Sequence, residues 1–117
     1  SSDVCSSDLE WHNLQTQAWG WMQDFDAIIC PVEPYAALPH GEVHNLTPAD
    51  AGVGWGLMNY YNLTGWPAGV VRASTSADGL PLGVQVVARP GQDTLVLKIM
   101  KFIEQEFGGY SPPEFAI

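Results

Sequence analysis

From Trp11 onward the apolar residues fall at Trp11, Leu14, Ala18, Met22 and Phe25, the three-and-four spacing that gathers side chains on one helix face. The pattern predicts a helix over 10–23, and Trp19 and Trp21 widen its apolar face enough for packing on more than one side. The period then changes. Phe25-Asp26-Ala27-Ile28-Ile29-Cys30-Pro31 is a short apolar run closed by proline, which predicts a buried strand. Asp24 and Asp26 sit where the two patterns meet and read as a helix end and a strand entry rather than as an acid pair.

Residues 31–54 hold four prolines and three glycines with no sustained period, which predicts an irregular loop. Loops of that length in a compact domain usually form lids or binding walls. A short helix is expected over 52–61, with Leu57 and Tyr60 or Tyr61 facing inward. Residues 67–74 and 81–88 read as two strands, each opened by a proline (Pro67, Pro81), where a missing N–H sacrifices no ladder bond. Between them Ser76-Ala77-Asp78-Gly79 has turn chemistry, with Asp-Gly supplying positive φ, so an antiparallel hairpin follows. Gly69 and Gly83 lie inside these strands, which marks tight packing of another element or, alternatively, close approach of a ligand. A last helix opens with Asp93 as its expected N-cap and carries Leu95, Ile99, Phe102, Ile103 and Phe107 on one face. Gly108-Gly109 ends it and Pro112-Pro113 prevents its renewal. The fold class is α/β, with strands of a mixed β-sheet flanked by helices.

Composition narrows the function. At 117 residues and 46% hydrophobic content the chain can bury a core. Thirteen acidic against four basic residues give a formal charge of −9, and Arg72, Arg89, Lys98 and Lys101 form no dense basic cluster. Nucleic acid and anionic membrane surfaces are therefore not expected partners. No apolar run approaches the roughly 20 residues that span a bilayer, and no secretory pattern opens the chain. Cys5 and Cys30 make no disulfide framework, so a reducing cytoplasm is the expected compartment. Residues 1–9 are polar and aperiodic and end where the amphipathic pattern begins. They read as a non-native artefact segment, with a native disordered N-terminus as the alternative, which leaves 10–117 for fold reasoning.

Several constellations invite chemistry. Cys30, His40 and His44, with His12 as a fourth ligand, match zinc-ligand types, but the spacing of His40 and His44 suits zinc only on a helix. Pro39 and Gly41 oppose a helix there, so no metal site is expected. Asn45-Leu46-Thr47 and Asn62-Leu63-Thr64 match the glycosylation pattern without a secretory context. The aromatic group Trp55, Tyr60, Tyr61 and Trp66 is the best pocket candidate, with core packing as the alternative for each member.

Three segments in order carry a family resemblance: the 25–31 strand, Asn62-Leu63-Thr64-Gly65-Trp66-Pro67-Ala68, and Gly79-Leu80-Pro81-Leu82-Gly83-Val84-Gln85-Val86 followed by a closing helix. Together they resemble the C-terminal part of enzymes of the amidase signature family, over about residues 10–113. That resemblance implies hydrolysis of carboxylic amides by a serine nucleophile, a second serine in a cis peptide and a lysine, with no cofactor. No Gly-Gly-Ser-Ser-type run is present, Lys98 and Lys101 fall on the terminal helix, and Ser74 and Ser76 belong to the hairpin. No catalytic residue is therefore assigned, and these residues alone are expected to be inactive. The resemblance makes Tyr60, Asn62, Thr64 and Trp66 the substrate-pocket candidates, for a small-molecule amide. Gly65-Trp66-Pro67 and the Phe107-Gly108-Gly109-Tyr110 ending look more like the broad-substrate amidases than like the amidase component of the tRNA-dependent amidotransferases. A non-catalytic binding or assembly module is the competing reading.

Overall fold

The run Val84-Gln85-Val86-Val87-Ala88 does not alternate apolar with polar, so its strand must be covered on both faces. The computed structural model, which describes residues 6–42 and 58–112, gives it that position. Helix α1 (Ser6–Trp21) continues as a single 3-10 turn (Met22–Asp24) and leads to strand β1 (Ala27–Pro31). Helical residues 58–64 (α2) precede strand β2 (Ala68–Thr75), strand β3 (Pro81–Ala88) and helix α3 (Asp93–Phe107). The sheet order is β1-β3-β2. Both ladders are antiparallel, so among the described residues the mixed sheet is represented by antiparallel pairs alone.

Successive side chains of β3 go to opposite layers. Val86 and Ala88 join Val96 and Ile103 of α3, while Val87 joins Ala18 and Met22 of α1 and Trp66. Val86 and Val87 are both fully buried, each worth roughly 1.5–3 kcal/mol of apolar transfer. Gly69 explains how closely α3 approaches β2: a Cβ there would collide with Met100 Sδ and come within 3.3 Å of Val96 Cγ1. At Gly83 a Cβ would lie 3.0 Å from Val70 Cγ1 on the neighbouring strand.

The hairpin closes by Ser76 N–H donating to Leu80 O at 2.8 Å and Gly79 N–H donating to Ser76 O at 3.0 Å. Only Gly79 takes positive φ (+83°), while Asp78 does not, so the three-residue loop is a type I turn with a glycine bulge. Gly108 ends α3 in the left-handed region at φ 87°.

Several boundaries and faces differ from those read in the sequence. Helix α1 starts at Ser6, because residues 6–9 complete its first turn, and β1 begins at Ala27 rather than Phe25. Asp93 is the first helical residue, not the cap; Gln92 precedes it and makes no side-chain cap bond. The Asp93 carboxylate still lies where the helix dipole favours an anion. Phe102 and Phe107, expected to face inward, are 62% and 63% exposed, and the inward stripe runs through Val96, Ile99, Met100 and Ile103 instead. Helix α3 holds more apolar residues than one face can bury. Of the α1 face, Ala18 and Met22 are buried, but Trp11 and Phe25 are exposed, as are Trp19 and Trp21. Residues 43–57, with the rest of the proline-rich loop and the start of the expected 52–61 helix, lie outside the described residues. No described helix is long and apolar enough to cross a membrane.

Gly69→Leu is expected to lower stability by about 1–3 kcal/mol in urea unfolding, because both Met100 and Val96 must move. Gly20→Ala, at a helical position with open space around its Cβ, is expected to stabilise by about 0.5–1 kcal/mol. Equal effects at the two sites would contradict the close α3–β2 packing.

Candidate functional site

The site begins where α2 ends. Gly65 takes φ +69°, and its N–H donates to Tyr61 O at 2.9 Å, which turns the chain out of the helix. Thr64, buried to 3% exposure, donates its Oγ1 hydrogen to the same carbonyl at 3.3 Å. Helix α1 holds this corner from the other side. Gln15 Nε2 donates to Thr64 O at 3.2 Å, and Trp11 Nε1 donates to Leu63 O. Ala88 N–H donates to Pro67 O at 3.1 Å and ties the outgoing chain to β3. The result seats Trp66, 6% exposed, against Ala18, Met22 and Val87.

A cleft of about 260 Å³ opens beside Trp66, lined by Ala18 and Trp21 of α1, Ile28 of β1, and Tyr60 and Tyr61 of α2. Tyr60 and Tyr61 meet edge to face at 5.5 Å. Beneath the cleft, Cys30 and Gln85 are register partners, and Gln85 Nε2 donates to Cys30 Sγ at 3.6 Å. Tyr61 Oη lies 3.8 Å from the same sulfur. Burial, and then the hydrogen bond and negative charge of Cys30 together with the nearby Tyr60, push the Tyr61 phenol up to about 12. The lining is apolar and aromatic, with hydroxyls at its edge, a surface suited to an acyl or aryl group.

Tyr60 and Trp66 therefore share one cleft. Asn62 is exposed and does not line it. Thr64 adjoins it but spends its hydroxyl on the end of α2. Trp55 and His44 lie outside the described residues, and His12 and His40 are exposed. Cys30 is engaged by Tyr61 and Gln85, and no group of three His, Cys, Asp or Glu side chains that could hold a metal occurs among the described residues. The sequence reading missed the Tyr61–Cys30–Gln85 set. Its one signal was that Cys30 shares a strand face with Ile28; the pairing with Gln85 needs the register.

A folded pKa above the ordinary phenol value means that Tyr61 favours folding below pH 10, and that this contribution is lost as pH rises from about 10 to 12. The ultraviolet titration of the chain minus that of Tyr61→Phe is expected to show a component centred near 12. A component near 10 would contradict the buried Cys30 contact.

Comparison with known proteins agrees with this geometry. The Amidase family model matches residues 4–97. The chain is 36% identical over 87 residues to the amidase-type component of glutamyl-tRNA(Gln) amidotransferase from Nitrobacter hamburgensis, an alignment covering 74% of this chain and 18% of the relative. It is 31% identical over 110 residues to a provisionally named amidase of Synechocystis sp., covering 89% of this chain and 21% of that protein. The chain thus spans about a fifth of the length of these curated relatives. Among solved structures, 6-aminohexanoate cyclic dimer hydrolase complexed with substrate superposes with a TM-score of 0.73 at 21% identity, covering 87% of this chain and 24% of that one. The fold is shared with that hydrolase, and the chain belongs to the amidase family.

Proposed function

We propose that residues 10–117 form the C-terminal part of an amidase that hydrolyses carboxylic amides to acid and amine or ammonia. The observation that carries this reading is the cleft beside Trp66, built from the Gly65-Trp66-Pro67 segment that bears the family resemblance. In it, Tyr60, Tyr61, Trp21 and Trp66 wall the acyl side of a small amide, and the buried Cys30 and Gln85 hold Tyr61 in place. The chemistry itself needs a nucleophile, a base and donors for the oxyanion. The serine, cis-serine and lysine implied by the resemblance have no counterparts among these residues. Lys98 and Lys101 lie on α3, which packs against the other face of β3, and Ser74 and Ser76 belong to the hairpin. Residues 1–9 stand outside this assignment as a non-native segment, and the cytoplasm is the proposed compartment.

A second reading, part of the amidase component of a tRNA-dependent amidotransferase, is favoured by the 36% identical relative. Hydrolysis of simple free amides by the complete protein acting alone separates the two.

Reading the source locus upstream of codon 10 is expected to reveal an in-frame Gly/Ser-rich segment with a serine pair, and a lysine further upstream. A native gene in which that segment is missing would leave the binding-module reading in its place. The purified chain is expected to give no turnover of aryl or alkyl amides above background. Turnover that disappears in Ser74→Ala or Ser76→Ala would contradict the assignment.

A further inference from the structure

Just past the end of β1, the chain bends through residues 32–36 and turns Glu33 inward. Glu33 Oε2 is buried and has no hydrogen-bond partner, the only such side-chain atom among the described residues. A carboxylate oxygen is an acceptor, and leaving it dry and unpaired carries a penalty of about 1–3 kcal/mol or more. No lysine or arginine offsets that penalty. Arg72 donates to Thr75 Oγ1 at 2.8 Å, Arg89 lies over the Trp19 ring at 6.0 Å, and Lys98 and Lys101 belong to α3. These four are all the lysines and arginines in the chain.

The space around Glu33 is not a packed interior. It lines a cleft of about 330 Å³ with Val32, Tyr35, Ala36, Val70 and Leu82, whose floor stays low because Gly83 has no side chain. A second opening of about 360 Å³, toward Pro31 and Ser76, shares Glu33 with it. An unpaired acceptor at the head of an apolar groove matches a ligand with a cationic donor at one end and a short hydrocarbon stem behind it. A neutral hydroxyl would satisfy the hydrogen bond but not the charge.

We propose that this groove binds an alkylammonium group, with Glu33 receiving the ammonium and Val32, Val70 and Leu82 receiving its methylenes. The ammonium belongs either to a free alkylamine or to a lysine side chain of another polypeptide segment. The site is separate from the cleft beside Trp66 and does not depend on amide hydrolysis.

Urea unfolding and calorimetric titration of the 117-residue chain and of Glu33→Gln test it, with n-butylammonium, Nα-acetyl-lysine methylamide and, as a neutral control, n-butanol. Without ligand, Glu33→Gln is expected to raise the urea midpoint, because it removes an uncompensated charge. Either ammonium probe is expected to bind saturably and to raise the wild-type midpoint, since a ligand that binds only the native state stabilises it. Glu33→Gln is expected to weaken that binding by about tenfold or more, and n-butanol is expected to leave the midpoint unchanged. Tighter binding of n-butylammonium identifies a free amine as the occupant, and tighter binding of the lysine derivative a polypeptide. The proposal is overturned if neither probe binds, if both bind Glu33→Gln as well as wild type, or if Glu33→Gln lowers the midpoint, which would mean that the carboxylate already has its partner.

Discussion

Everything else in the molecule depends on β3 being covered on both faces. A strand whose consecutive residues Gln85, Val86, Val87 and Ala88 are all buried needs one layer for its even positions and another for its odd ones. Helix α3 supplies the first through Val96 and Ile103. Helix α1 and the Trp66 corner supply the second through Ala18 and Met22. Strands β1 and β2 then flank β3, each with an outer edge that no described strand pairs. The exposed Ile29 on β1 and Val70 on β2 lie on those flanking strands, as far from the double cover as the sheet allows.

The same constraint builds the cleft. Because Val87 draws Trp66 into the core, the indole is at once a packing residue and the fixed wall of an opening. The two roles do not compete, since one ring face can pack while the other stays accessible. The odd positions of β3 also bring Gln85 under Cys30, and Cys30 under Tyr61, so a polar chain runs from the sheet to the rim of the cleft. Polar side chains half-buried in this way keep their geometry only while the ladder register holds. The Tyr61 ring is positioned by the sheet as much as by its own helix.

Much of this was legible in the sequence because it is local. The α1 periodicity, the Ser76–Gly79 turn and the Gly108 stop each follow from chain geometry within a few residues. Gly69 was legible as a packing glycine, though not the identity of Met100 as its neighbour. What was not legible depends on partners distant in sequence. Cys30 looked like a metal ligand until the register set it opposite Gln85, and Thr64 looked like a pocket residue until its hydroxyl was seen to close α2. The outward Phe102 and Phe107 show a limit of another kind: apolar character along α3 marks two stripes, and periodicity does not say which one meets the sheet. Glu33 gave no signal at all, because an unpaired atom is a property of its surroundings and not of its neighbours in sequence.

The central claim is that β3 is the doubly covered spine and that β1 and β2 are its weaker flanks. Residue-resolved native-state hydrogen exchange tests it most directly, because exchange from the most protected amides reports global opening while edges exchange by local opening. The account predicts that the slowest amides belong to Gln85, Val86, Val87 and Ala88, and that those of Ile29 on β1 and Val70 on β2 exchange faster. Protection that is uniform across the three strands, or greatest on β1, would contradict it.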